Sequence, residues 1–95
     1  MKDGSPTRLS TIGQKGQGVG QLQSPYGLAI DNDHNLLVCD HSSQLVNKFT
    51  LDGRFIGNTN QLRGYPYYIA VLNDGRFLCT FSTTSQISFF RNDNS

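Results

Sequence analysis

The chain has 95 residues, a formal net charge of +1, 36% hydrophobic and 11% aromatic residues, ten Gly, two Cys and no Trp. That length allows one small domain with a modest buried fraction. The near-neutral balance excludes strong steering toward nucleic acid or a membrane by the overall field, though not a local basic patch. No apolar run approaches the roughly 18 residues a membrane-spanning helix needs, and Met1–Pro6 has no apolar core, so no secretory leader is expected.

In chain order, Met1–Pro6 reads as a frayed or linker end. Arg8–Ile12 is a short strand candidate that resembles Arg54–Gly57. Residues 1–12 are therefore expected to hold a tail and the last strand of a preceding repeat. Gly13–Gly20 is a glycine-rich loop whose Gly16-x-Gly18 imitates part of a dinucleotide fingerprint. That fingerprint needs a helix whose N-terminus carries the pyrophosphate, and here Pro25 opens a strand instead, so a plain connector is expected.

Gly27–Asp31 is the first inner strand, with a continuous apolar run Leu28-Ala-Ile30 that predicts burial on both faces. Asn32–Asn35 is a hairpin turn by composition, and Leu36–Cys39 is a second strand buried on both faces. After the turn Asp40–Ser43, Gln44–Thr50 alternates more and is expected to be wetter, with Leu45, Asn47 and Phe49 on one face and Val46 and Lys48 on the other. Leu51–Gly53 turns the chain into an outer strand at Arg54–Gly57.

The same pattern then returns. Pro25 recurs as Pro66, Ala29 as Ala70, Leu37 as Leu78, Val46 as Ile87 and Phe49 as Phe90, each 41 positions on (66 − 25, 90 − 49). Strands are expected at Tyr68–Leu72, Arg76–Thr80 and Gln86–Arg91. No segment has helical periodicity. Four-stranded units of about 40 residues, grading from apolar inner strands to a wetter outer one, are what radial propeller blades require. The expected architecture is all-β, a partial β-propeller of about two blades, with residues 13–58 forming the first blade and 59–95 an incomplete second.

Cys39 and Cys79 each fall inside a predicted strand, where a thiol behaves as a small hydrophobe. Two buried thiols rather than a disulfide suit a reducing compartment, and the chain has no Asn-x-Ser/Thr sequon. The expected address is cytoplasmic.

Several constellations invite chemistry. Asp40-His41-Ser42 holds the residue types of a nucleophilic triad, but a triad needs convergence in space rather than adjacency, and a turn with the Asp capping backbone amides is the better reading. Asp31-x-Asp33 with Asn32 and Asn35 lacks the Gly and terminal Glu of a calcium loop. His34 and His41 have no zinc-ligand spacing to Cys39. No catalytic residue, metal or cofactor is assigned to this segment. Tyr26, Tyr65, Tyr67 and Tyr68 gather around the two Pro-containing turns, where they either pack between blades or offer rings to bases or a peptide. Tyr26, Tyr67 and His41 are the candidate ligand-binding residues of this loop face, with Lys15, Arg63 and Lys48 as candidate phosphate or acidic-partner contacts. The alternative for each charge is a solvated surface.

The run of glycines from Gly13, Gly20-Gln21-Leu22, Pro25 and Gly27–Asp31, followed by Asn35–Asp40, Val46-x-x-Phe49 and Asp52-Gly53, resembles NHL repeats. The likeness covers about Leu9–Phe90 and is most like the C-terminal NHL domains of tripartite-motif (TRIM) ubiquitin ligases. It departs at Ser43 and Leu45, where the repeat carries Asn and Arg, and at Tyr68, Leu72 and Phe81, where it carries Gly, Asp and Asp. The resemblance implies a ring of about six blades, completed by neighbouring blades of a longer chain or by copies of this one. It implies a recognition module for a protein target or single-stranded RNA, with zinc-binding RING and B-box domains elsewhere in such a ligase. Some similar propellers are metal-dependent lyases or lactonases, for which Asp31 would be the one inner-strand ligand here, and others are scaffolds.

Overall fold

Residues 4–92 are described by the computed structural model; the ends of the expected tail and second blade, residues 1–3 and 93–95, lie outside them. Seven strands form two antiparallel sheets. The first sheet is a meander of β1 (Pro25–Ile30), β2 (Leu36–Asp40), β3 (Leu45–Phe49) and β4 (Phe55–Asn58). The second is β5 (Pro66–Val71), β6 (Phe77–Phe81) and β7 (Ile87–Phe90). No helix occurs among the described residues. The 41-residue period is therefore one blade, as the repeat predicts.

Strand pairing decides which side chains share a face. Ala29, Leu37 and Lys48 lie opposite one another across β1–β2–β3, as do Cys39 and Val46. In the second sheet Val71, Phe77 and Phe90 are in line, as are Ile69 and Cys79. These two rows meet. Leu37, Cys39 and Val46 pack with Phe77, Cys79 and Phe81 in one core, with Leu62, Ile69, Val71 and Phe90 against it. Phe77 and Phe90 stack at 5.0 Å within it. Each fully buried apolar side chain contributes about 1.5–3 kcal/mol. Cys39 and Cys79 are free thiols hidden from solvent, and the hydrogen bond between them, with burial, pushes the Cys79 thiol up.

The inner strands β1 and β5 run side by side. A Cβ on Gly27 would lie 2.5 Å from the Tyr67 carbonyl oxygen, so only glycine allows this approach. At the opposite end from Pro25, the Asp31 carboxylate closes the β1–β2 turn by accepting from the Asp33 and Asn35 amides at 2.9 and 2.8 Å. Its other oxygen accepts from the Asn92 amide at 3.0 Å and lies 3.5 Å from Lys48 Nζ. Lys48 Nζ in turn donates to Asn92 Oδ1 at 3.2 Å, so a polar knot joins the two blades. Burial alone would raise the Asp31 carboxyl; the backbone and Asn92 donors and Lys48 outweigh it and hold it below the usual carboxylate value.

Three expectations need correction. Arg8–Ile12 is not a strand in the structure, because no strand of the described residues lies beside it to share a ladder. Strand β1 is not buried on both faces: Leu28 and Ile30 are exposed on the side turned away from the second sheet. A blade buries both faces only between two neighbours, and only one neighbour is described. Strand β3 is not wet either, since Val46, Asn47 and Phe49 are buried. Val46 enters the core between blades, while Asn47 and Phe49 lie on the outward face, where Phe49 meets Phe55 edge-on at 5.7 Å. There the glycine loop folds back through a Lys15–Leu22 bridge and lines a small cavity over Leu45 and Asn47.

Removing one ring of the core should cost far more than removing an exposed apolar side chain. Phe77→Ala is expected to lower the free energy of unfolding by about 3–5 kcal/mol, and Leu51→Ala, in an exposed turn, to change it by no more than about 0.5 kcal/mol, both read from urea titrations. Because the folded Asp31 carboxyl is depressed, its contribution is complete above the ordinary value of 3.8 and is lost as pH falls through the lowered value. Asp31→Asn should flatten the fall of the unfolding midpoint between about pH 5 and 2.

Candidate functional site

The entry to each inner strand and the turn after each second strand lie at the same end of the molecule. The backbone ties them in pairs: the His41 amide donates to the Ser24 carbonyl at 2.9 Å, and the Ser82 amide to the Tyr65 carbonyl at 3.1 Å. Ser24 and Tyr65 are one repeat apart, as are His41 and Ser82, and Tyr26 and Tyr67. The period thus sets equivalent positions of the two blades beside each other around one end.

Rings dominate that end. Tyr26 stacks on His41 at 4.7 Å and 24°, and Tyr65 stacks on His41 at 5.1 Å and 30°. Tyr67 closes the group edge-on, 4.9 Å from Tyr26 and 6.1 Å from His41, and Tyr68 lies 4.7 Å from Tyr67. The imidazole is held in place from the second blade by a 3.0 Å hydrogen bond between His41 Nε2 and Ser82 Oγ. The Tyr rings remain partly open to solvent, Tyr26 by 53% and Tyr67 by 36%. A half-exposed stack of amphipathic rings offers large contact area with little side-chain entropy left to lose.

Asp40 supports this surface from beneath. Its carboxylate has no exposure and accepts from the Gln23 amide, from the Ser24 amide at 2.6 Å, and from Ser43 Oγ at 2.6 Å. It therefore caps amides, as expected, but those of the incoming loop rather than of its own turn. Ser42 Oγ pairs with Ser24 Oγ at 2.7 Å. The Asp40, His41 and Ser42 side chains thus bond to other residues rather than to one another and do not converge as a triad.

Of the residues singled out in sequence, Tyr26, Tyr67 and His41 come together. Arg63 is exposed on the same connection as Tyr65, two positions before it. Lys15 lies in the glycine loop, bridged to Leu22 over the outward face of the first blade. The Gly16 and Gly18 amides of that loop donate within it, to the Leu22 carbonyl and Gln21 Oε1, so they are not displayed as a phosphate cradle. Asp31, the one inner-strand carboxylate weighed as a metal ligand, is spent on its turn, Asn92 and Lys48. Among the described residues, no three His, Cys, Asp or Glu side chains are placed to hold a metal ion. Tyr65 and Ser82 complete the site although neither was singled out as a ligand residue. The 41-residue offset was the signal for both, because Ser82 is the repeat equivalent of His41.

No family model matches the chain. A search of curated proteins finds Protein lin-41 of Caenorhabditis elegans, 39% identical over 48 residues. That match takes in 50% of this chain and 4% of lin-41, so the chain spans a small part of that relative. Among solved structures, virginiamycin B lyase from Staphylococcus aureus superposes with a TM-score of 0.53 at 15% identity, over 75% of this chain and 28% of the lyase. At that identity the likeness concerns the fold alone. No helix among the described residues is long and apolar enough to cross a membrane.

If the Asp40 carboxylate organises the ring-bearing loops, its removal should be felt there first. Asp40→Ala is expected to cost about 1–3 kcal/mol, to speed hydrogen exchange at the Gln23 and Ser24 amides, and to weaken the near-UV dichroism of the tyrosines.

Proposed function

We propose that the chain is part of an NHL-type β-propeller and that the end carrying Tyr26, His41, Tyr65 and Tyr67 is a target-recognition surface whose ligand is a protein segment. The observation that carries the reading is the ring group itself: Tyr26 and Tyr65 each stacked on His41, fixed by Ser82 and left partly open. Tyr is enriched where few residues supply most of the binding energy, and a near-neutral chain suits a protein ligand better than a polyanion. Its likeness to TRIM-type ligases supports reading it as the substrate-selecting part of such an enzyme, with ubiquitin transfer the work of other domains. Two free, buried thiols agree with a cytoplasmic address.

Single-stranded RNA is the second reading, favoured by the same rings, because rings can interleave with bases, and by the exposed Arg63 two positions before Tyr65. The lyase or lactonase reading would need ligands from other blades, since Asp31 is committed within its own.

The chain should be offered a displayed library of random peptides and, separately, a pool of random single-stranded RNA. Selected peptides are expected to bind with little dependence on salt, and Tyr26→Ala with Tyr67→Ala should weaken them at least about tenfold. Selection of RNA alone, with affinity falling steeply as salt rises, would exchange the first reading for the second. Ligands indifferent to both tyrosines would remove the site from this end of the molecule.

A further inference from the structure

The core between the blades holds two thiols that the ring-bearing end does not use. Cys39 and Cys79, the chain's two cysteines, have no solvent exposure and belong to the same buried cluster. Cys39 lies on β2 opposite Val46, and Cys79 on β6 opposite Ile69. They are not repeat equivalents: 41 positions after Cys39 stands Thr80, and 41 before Cys79 stands Val38. The pair is therefore made by the packing of one blade on the other, and the two side chains share a hydrogen bond across it.

A single buried thiol is a small and inert hydrophobe. Two in contact have a further chemistry, because each sulfur is a ready partner for the other once one is oxidised. The two are also unequal. The hydrogen bond with Cys79 pulls the Cys39 thiol down against the effect of burial. The same bond, burial and the charge on Cys39 push the Cys79 thiol up. Cys39 is thus the sulfur that gives up its proton, and Cys79 the one that keeps it.

We propose that Cys39 and Cys79 are a redox pair, which hydrogen peroxide converts to a disulfide joining the two blades. Cys39, as thiolate, attacks one peroxide oxygen; the O–O bond breaks, leaving Cys39 as sulfenic acid and releasing hydroxide. That hydroxide takes the Cys79 proton and becomes water. The Cys79 sulfur then attacks the Cys39 sulfur and the S–O bond breaks. The departing hydroxide recovers the proton that Cys39 first lost. Two thiols and one peroxide become one disulfide and two waters. Peroxide suits the place because it is small and uncharged, and the pair is reached through the core or when the blades briefly part.

The bond acts on the ring-bearing end as well. Cys39 lies two residues before His41, and Cys79 three before Ser82. His41 Nε2 and Ser82 Oγ meet at 3.0 Å across the same contact. A covalent link here removes the freedom of the blades to part and holds the rings in register.

The test is the thiol count of the folded 95-residue chain after brief exposure to hydrogen peroxide, read in denaturant. The expected result is a fall from two thiols to none, with the Cys39 and Cys79 peptides linked within one chain. Dithiothreitol should reverse it, and the urea midpoint should lie above that of the reduced chain. These readings need no variant. Cys79→Ala should stop the reaction at a sulfenic acid that dimedone traps on Cys39, and Cys39→Ala should leave Cys79 at least about tenfold slower to react. Two surviving thiols, at peroxide levels that oxidise the urea-unfolded chain, overturn the proposal. Links formed only between chains overturn it too. So does an oxidised chain with an unchanged or lowered midpoint, because the native packing would then not accept the bond. Faster reaction at Cys79 than at Cys39 overturns the order of attack.

Discussion

The packing of Leu37, Cys39 and Val46 against Phe77, Cys79 and Phe81 is the contact on which the rest of the structure depends. A single twisted sheet of three or four short strands hides little of its apolar surface from water, and such pieces are marginal alone. Setting two sheets face to face buries one face of each. It also brings their inner strands so close that Gly27 has no room for a side chain. The shared core thereby fixes the rotation of one blade on the other, and with it everything placed at the blade ends.

Both ends of the molecule inherit that rotation, and each is tied by polar groups of a different kind. At one end Asp31, Lys48 and Asn92 knot the blades through buried charge and amides. At the other, His41 reaches across to Ser82 and stacks with Tyr26 and with Tyr65. The first end consumes its polar groups internally, which suits a structural role. The second keeps its rings partly exposed, so ordered aromatic surface stays open to solvent there.

What the outward faces show is the same physics left incomplete. Leu28, Ile30, Tyr68, Ile87 and Phe89 are apolar and open because each belongs to a blade with one described neighbour. The glycine loop partly substitutes for a neighbour on the first blade. Gly20, at a φ of 76°, lies against Phe55, where a Cβ would come within 3.1 Å of that ring. Loop and neighbour compete for the same kind of surface, and the loop covers only its outer half.

The amino-acid order by itself determined the strand-forming runs, their turns and the 41-residue period, because these rest on local patterning and turn chemistry that need no partner. It also placed Tyr26 and Tyr67 at equivalent turns of the two repeats. Burial was decided by the tertiary structure: the apolar run of β1 reads as buried in sequence, but a strand is buried only if something lies on it, and nothing local encodes the neighbour. For the same reason Arg8–Ile12 has a strand's composition without a ladder, since strand hydrogen bonds belong to pairs. The tertiary structure also brought Tyr65 and Ser82 to His41, joined Asp40 to a loop 16 and 17 residues earlier, and spent Asp31 on Lys48 and Asn92. Those pairings are set by the distance and angle between two blades, which only their packed core fixes.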